Sequence, residues 1–311
     1  MRTVSAEHDG SHAPGPDDGE SWQESWLLTW FDPHALAGGY HHLGLQRGRD
    51  KADVWSWAAL GGSVVGRFQS LELPLPADDL ADMTIGGMHL RTTVPLRGYE
   101  LTADYEDARV EVDYQAFTDA LALGLEAEGA DLGAHHYESM GRVAGRVTVA
   151  GRVTAVSGWG FQDHSWGPRN WGNVLSHRWI LATFGEDLYC AVVRMTTPAG
   201  PAAFGYVFDA GAFHDISSVD CTALIAGDGH TPLGCDARFW TTDGRGYHIT
   251  GDTGVASSHT HDQGFFFTSG LTVFSMGGRL GTGIFETSEL KTPTPVQRIE
   301  LGLDQLAVPA L

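Results

Sequence analysis

Cysteine is scarce: Cys190, Cys221 and Cys235 are the only three in 311 residues, and they form no Cys-x-x-Cys pair. An odd, sparse set fits reduced, buried thiols, excludes a disulfide framework and points to the cytoplasm. Positive charge is also in short supply, with 19 Lys and Arg against 39 Asp and Glu for a formal charge of −20. Phosphate recognition needs clustered cations, so nucleic acid is excluded as a partner, and anionic membrane surfaces are disfavoured by the same repulsion. Long apolar runs are missing as well, which leaves neither an integral membrane segment nor the apolar core of a signal peptide. Residues 1–20, polar and rich in Gly, Pro, His and Asp, read as a disordered tail. Missing too are Gly-x-Ser-x-Gly, a P-loop, His-Glu-x-x-His and a Gly-x-Gly-x-x-Gly before a helix, so hydrolase, nucleotidase, zinc-protease and Rossmann chemistries have no support. No cofactor and no metal is expected.

What the chain does have is 41 glycines and many short alternating segments between turn residues, the pattern of an all-β sandwich or barrel. Leu27 to Phe31 reads as a strand with Trp26, Leu28 and Trp30 on one face, ended by Asp32-Pro33. Two strands follow around Arg47-Gly48-Arg49-Asp50, and a hairpin spans Glu106-Asp107 with Val110 and Val112 opposed to Glu111 and Asp113. Residues 142–149 and 153–161 make another pair, then 177–184 with 188–196, 202–208, 239–242 with 247–250, 265–274, 284–290 and 296–301. The segment Phe117 to Glu128, with Leu121, Ala122 and Leu125 at three- and four-residue spacing, reads as a helix.

The stretch that stands apart lies near the midpoint: Gly158-Trp159-Gly160-Phe161-Gln162-Asp163-His164-Ser165-Trp166-Gly167-Pro168-Arg169-Asn170-Trp171. Large aromatics beside ionisable groups are what a water-poor reactive pocket is made of. An aspartate that loses hydration among Trp159, Phe161, Trp166 and Trp171 holds its proton to higher pH, as a general acid must. Indole and phenyl faces would stabilise the cation formed by protonating an alkene, at roughly 0.5–2 kcal/mol each. The plainer reading is a turn cap or an ion pair between Asp163 and Arg169. Strand parity sets Asp163 with Trp159 and Phe161, taken as the inner face, and His164 on the other face with a hydrogen-bonding role in the sheet. Three further histidine groups, His41-His42, His135-His136 beside Glu138, and His259 with His261, show no third metal ligand at motif spacing.

These residues carry a family resemblance. Gly158 to Gly167, with Arg169 and Trp171, is similar to the Gly-x-x-x-x-Asp-His-x-Trp-Gly signature of the lipocalin-like superfamily, which includes the carotenoid 1,2-hydratases (hydroxyneurosporene synthases). A preceding Glu-x-x-Gly-x-Val-x-Gly run is matched by Glu138, Gly141, Val143 and Gly145. Together with Glu24-Ser25 and Gly39 to His42, it places the chain nearest the uncharacterised bacterial members with Asp-His-Ser-Trp-Gly, over roughly residues 20 to 300. The resemblance implies two consecutive lipocalin-like (calycin) β-barrel or half-barrel domains, at 21–157 and 158–311, the second opening on the motif and meeting the first near residue 158. It also implies an apolar cavity and a hydrophobic, isoprenoid-like substrate that is hydrated, dehydrated, isomerised or cyclised. Asp163 would be the proton donor, His164 and Arg169 its companions, and Tyr137, Trp159, Phe161, Trp166, Trp171 and Trp179 the substrate-binding residues. Gln162 stands where the nearer relatives carry Arg, removing one cation beside Asp163. A non-catalytic carrier of an apolar small molecule is the alternative, because one such scaffold serves binders and enzymes alike. Association into a homodimer stays open.

Overall fold

The computed structural model describes residues 4–125, 131–171, 174–261 and 264–290, and among them the fold is almost entirely β. The chain divides into two compact units, Met1–Leu125 with Leu132–Arg169, and Glu126–Asp131 with Asn170–Leu311. Among the described residues no helix is long and apolar enough to cross a membrane.

The first unit is built from β1 (Trp22–Asp32), β2 (Ala37–Gln46), β3 (Lys51–Leu60), β4 (Ser63–Pro74), β5 (Asp82–Ile85), β6 (Met88–Val94), β7 (Gly98–Asp104), β8 (Ala108–Ala116), the two-residue β9 (Leu121–Ala122) and β10 (Asp131–Leu132), β11 (His135–Val149) and β12 (Arg152–Asn170). The sheet order is β4-β3-β2-β1-β12-β11-β8-β7-β6-β5, with β9 on β11 and β10 on β12. Side chains of alternate residues share a face, and here the inner face carries Trp26, Leu28 and Trp30 of β1, Val110, Val112 and Tyr114 of β8, Val143 and Val147 of β11, and Val156 of β12. Burying a ring of this size stabilises by roughly 1.5–3 kcal/mol.

The sheet curls until its two edges meet through side chains rather than a backbone ladder. Tyr105, just past β7, bonds to Ser56 of β3 at 2.6 Å and lies against Gly66 of β4, where an added Cβ would stand 2.4 Å from its ring. Phe68 and Leu73 of β4 likewise crowd Gly86 beyond β5. The result is a nearly closed barrel.

The second unit closes completely. Its eight strands are β13 (Ser176–Thr183), β14 (Leu188–Thr197), β15 (Gly200–Asp209), β16 (Ala212–Ile225), β17 (Pro232–Thr241), β18 (Gly246–Thr260), β19 (Phe265–Met276) and β20 (Arg279–Leu290), each paired with the next and β20 with β13. Ile180, Val192, Val207, Phe239, Ile249, Phe274 and Phe285 fill its interior, and the three free cysteines belong to it, Cys190 and Cys235 buried. The all-β architecture agrees with the sequence pattern, and the two barrels agree with what the family resemblance implies.

Four expectations differ from the structure. Residues 117–125 form no helix: Leu121 and Ala122 pair with Glu138 and Tyr137 of β11, so strand pairing outweighs the helical spacing, while 126–128 lie outside the described residues, as do 296–301. The segment before β1 is ordered from residue 4, with Asp9 buried. Its carboxylate accepts hydrogen bonds from Tyr99 at 2.7 Å, Tyr137 at 2.5 Å and the Leu96 backbone N–H at 2.8 Å. Ser11 Oγ also receives the Leu80 backbone N–H at 2.8 Å. The change of unit falls after Arg169 and not near 158, because β12 runs unbroken through the motif as a strand of the first barrel, paired to β1 and β11. Finally, the inner face of β12 is the even-numbered one, since Val156 belongs to the core. The rings that fill this space come from neighbouring strands, and β12 meets the Tyr114 ring with Gly160 and the Phe31 backbone with Gly158, while turning Trp159 and Phe161 outward.

The motif glycines have a packing reason. The Tyr114 hydroxyl donates to the Ser139 carbonyl at 2.9 Å and touches Ser139 Oγ, and a Cβ on Gly141 would stand 2.4 Å from its ring. Gly141→Ala is expected to destabilise the first barrel by about 1–3 kcal/mol through overpacking, measured as a lower urea midpoint. Gly254→Ala, with nothing within 4 Å of the added carbon, should leave the midpoint where it is.

Candidate functional site

β12 lies between β1 and β11, and residues on both of its faces are buried. Register places Trp26 opposite His164 and Leu27 opposite Asp163 on one side, and Tyr137 opposite His164 and Glu138 opposite Asp163 on the other. The Asp-His pair is therefore divided: His164 points into the barrel and Asp163 to its outer face, the reverse of the orientation expected from the aromatics.

The outer group consists of Ser25, His136, Glu138, Asp163, Ser165 and Arg169, all buried. Residues directly opposite on one face of an antiparallel pair have Cβ atoms about 4.5–5.5 Å apart, so Glu138 and Asp163 are neighbouring carboxyls. His136 Nε2 lies 3.2 Å from Glu138 Oε2. Arg169 donates to Ser25 Oγ at 2.9 Å and to Ser165 Oγ, and the two serines bond to each other at 3.1 Å. Burial pulls the His136 imidazole down to about 4, against the pull of Asp163 and with the push of Arg169. Burial likewise draws the Arg169 guanidinium down to about 10, opposed by Asp163 and Asp53, and at neutral pH it stays cationic. His136 Nδ1 and Arg169 Nε are buried with no hydrogen-bond partner among the described residues.

The inner group closes one end of the first barrel. His164 Nε2 lies 3.0 Å from Glu24 Oε1, and His12 Nδ1 lies 2.7 Å from the same oxygen. On its other side His164 Nδ1 is 3.3 Å from the Tyr137 hydroxyl, which reaches Asp9. Trp166 also faces inward, stacked on His12 at 3.8 Å between ring centroids and flanked by His135 at 5.0 Å. Burial holds His164 below its ordinary range against the upward pull of Glu24. For Glu24, burial raises the pKa, but hydrogen bonds from His12 and His164 outweigh it and hold the carboxyl below its usual value. Burial, then Asp9, pushes Tyr137 well above the ordinary phenol range.

The residues expected at one site are thus spread over three places. Asp163, Phe161 and Arg169 share the outer face; His164, Tyr137 and Trp166 share the inner end. Trp159 is half-buried, with the Arg142 guanidinium 4.8 Å from its ring centroid and Phe117 edge-on at 5.6 Å. Trp171 and Trp179 belong to the second unit, where Trp171 packs on Phe265, Phe267 and His177. The histidine pairs are split by alternation: His41 is inside, bonded to Trp30 and Ser56, and His42 stacks on Trp55 outside at 3.6 Å. His259 stacks on Phe267 at 5.1 Å. Sequence reasoning missed Asp9, His12 and Tyr99, and gave Glu24 no role. One signal was present, since Glu24 shares the parity of Trp22, Trp26, Leu28 and Trp30, an acid on an otherwise apolar strand face.

Burial keeps three of these imidazoles neutral in the folded state, drawing His41 and His177 to about 3 and His136 to about 4 from an ordinary 6.5. Because the unfolded chain binds more protons below the ordinary value, their contribution is intact above it and is lost as pH falls toward the folded values. Urea midpoints should fall between about pH 7 and pH 5, at up to roughly 1.4 kcal/mol per pH unit for each histidine. In His41→Gln the dependence should be shallower by one such share.

Comparison with known proteins places this architecture among others. The family described as a domain of unknown function (DUF7064) matches residues 5–291. Among solved structures, a putative AttH from Nitrosomonas europaea is similar at TM-score 0.66 and 14% identity, over 92% of this chain and 96% of that one. Kievitone hydratase from Nectria haematococca is similar at TM-score 0.64 and 12% identity, over 93% and 94%. CghA follows at 0.60 and 13%, over 91% and 95%. At these identities the likeness is one of fold. No curated protein sequence matches the chain.

Proposed function

The chain belongs to the DUF7064 family, and from its geometry we propose an enzyme that works by acid catalysis on a hydrophobic, isoprenoid-like substrate. The reaction class is the addition, removal or shift of water and protons about a C=C bond, and Asp163 is the proton donor. The observation that carries the reading is the buried Glu138–Asp163 pair beside Arg169. Two neighbouring carboxyls out of water do not both ionise cheaply, because each charge raises the pKa of the other. With Arg169 cationic and His136 neutral, the group balances its charge when one carboxyl keeps its proton. Such a group holds an acid at neutral pH without a cofactor.

The other residues have derived parts. Glu138 takes the negative charge of the pair and is oriented by His136; Arg169, held by Ser25 and Ser165, limits the charge left on Asp163 after proton transfer. Phe161, on the same face two residues away, offers a ring to a developing cation. Gln162, where nearer relatives of the motif carry Arg, points into the barrel, with its Oε1 3.4 Å from Ser139 Oγ. The missing cation is thus on the face opposite Asp163. A hydratase among proteins of the same fold and the resemblance of the Asp-His-Ser-Trp-Gly stretch to carotenoid 1,2-hydratases support the reaction class.

The test is turnover of candidate isoprenoid alkenes and tertiary alcohols in deuterated water, with deuterium incorporation at carbon as the readout. Asp163→Asn should lower the rate by roughly 10²–10⁴-fold, the usual worth of a positioned general acid. Glu138→Gln should keep measurable activity but shift the basic limb of the rate profile, where a general acid loses its proton, to lower pH, since Asp163 then loses the neighbour that keeps it protonated. Unchanged turnover in Asp163→Asn eliminates the mechanism, and ligand recovered intact from the wild-type protein after long incubation establishes the carrier instead.

A further inference from the structure

On the face of β12 opposite Asp163, we infer a divalent-metal site of the zinc type formed by His12, Glu24 and His164. Nδ1 of His12, a carboxylate oxygen of Glu24 and Nε2 of His164 all lie within 4.8 Å of one another. Two imidazoles and one carboxylate are a donor set suited to zinc, and three protein ligands is the number found in sites that leave a position for water or substrate. Donors bound at 2.0–2.2 Å in a tetrahedron stand about 3.3 Å apart, so small side-chain rotations would bring these three onto one ion.

Hydrogen-bond bookkeeping favours an ion over a purely hydrogen-bonded cluster. Glu24 Oε1 is approached by three nitrogens, the His12 backbone N at 3.0 Å, His12 Nδ1 at 2.7 Å and His164 Nε2 at 3.0 Å. Oε2 is approached by the His12 backbone N alone among the described residues, at 3.1 Å. Were both rings to donate, they and the backbone N–H that Oε2 shares would crowd the two lone pairs of Oε1. An ion removes the crowding, because both ring nitrogens then present lone pairs to it and only the backbone N–H remains a donor.

The surrounding groups fix the same tautomer. Tyr137 gives its hydroxyl hydrogen to Asp9 at 2.5 Å, so its oxygen is left to accept from His164 Nδ1 at 3.3 Å. That requires the proton of a neutral His164 on Nδ1 and a lone pair on Nε2, the form that ligates a metal. Without an ion, Nε2–H directed at Glu24 would leave the Nδ1 lone pair facing an oxygen whose hydrogen is already committed. An imidazole whose second nitrogen is held by a chain ending in a carboxylate is the usual support of a metal-ligating histidine. Glu24 and His164 side chains are fully buried and His12 is 19% exposed, which gives the ion a way in past His12. Trp166 stacked on the His12 ring holds that ligand in place.

The experiment uses the full chain, stripped with a chelator and titrated with Zn²⁺ alone by calorimetry, and with Co²⁺ by visible absorption. One ion per chain is expected. His12→Ala should weaken uptake at least roughly 100-fold and remove one of the two imidazole contributions to the Co²⁺ spectrum, and the near-isosteric Glu24→Gln should weaken uptake to a similar extent by removing the carboxylate. Tyr137→Phe, which leaves the ligands but frees His164 Nδ1, should weaken it by about 10–100-fold. The exposed His248→Ala should change nothing. His164→Ala would cut into the core, so the decision rests on His12, in the segment before β1, with circular dichroism verifying the fold. No saturable uptake by the wild-type chain, or uptake that survives both His12→Ala and Glu24→Gln, overturns the proposal. Asp163→Asn should bind zinc normally, so failure here and failure of the acid mechanism are distinguishable.

Discussion

A strand buried on both faces cannot leave ionisable side chains to water on either, and β12 is such a strand over the residues that matter most. Its neighbours β1 and β11 share the condition, with Glu24 and Ser25, Tyr137 and Glu138, Asp163 and His164 alternating from one face to the other. Uncompensated charge in such a place costs several kcal/mol, so each face carries a balanced group of its own. On the outer face the guanidinium of Arg169 is set against two carboxyls; on the inner face the carboxylates of Asp9 and Glu24 are met by hydrogen bonds from Tyr99, Tyr137 and the Leu96 and His12 backbone N–H groups. A slip of one residue would exchange the two sets and leave both unbalanced, so the polar residues specify the register along with the apolar ones.

Much of the architecture was legible because strands announce themselves by period and glycine-rich turns. The hairpins around 106–107, 151 and 185–187 sit where alternation put them, and Trp26, Leu28 and Trp30 share the inner face. What was not legible follows from tertiary context. Leu121, Ala122 and Leu125 have helical spacing, yet β11 offers an edge to 121–122 and the ladder outweighs local preference. Alternation separated Asp163 from His164 correctly but could not say which side was inside, since that depends on rings supplied by β1 and β8. The segment from residue 4 to 21 reads as a tail because its composition is that of a loop; long-range hydrogen bonds and the stacking of His8 and His12 on Trp166 order it, and these leave no periodic trace.

The motif that carried the resemblance separates into two kinds of residue. Gly141, Gly145, Gly158 and Gly160 are required by close approach of strands and by the Tyr114 ring, so they mark the fold. Glu138, Asp163, His164 and Trp166 are buried side chains, and these are the residues that give the faces their chemistry. A sequence signature of this type therefore speaks first of a barrel and only second of what the barrel does.

The pairing of β1 with β12 also bears on the order in which the molecule assembles. Trp22 is aligned with Pro168, and Asp9 waits for Tyr99 and for Tyr137, 90 and 128 residues further along. During synthesis the segment before β1 therefore finds Glu24, Leu80, Leu96 and Tyr99 first, and lacks Tyr137 and the neighbouring β12 until later residues have emerged. Loop closure of this span is slow compared with local hairpin formation. The meander β1 to β4 pairs through neighbouring strands alone, whereas the other edge of β1 has no partner before β12. The barrel that holds both polar groups is among the last parts of the first unit to become itself, and the nascent chain is most exposed to misassociation just before β12 arrives.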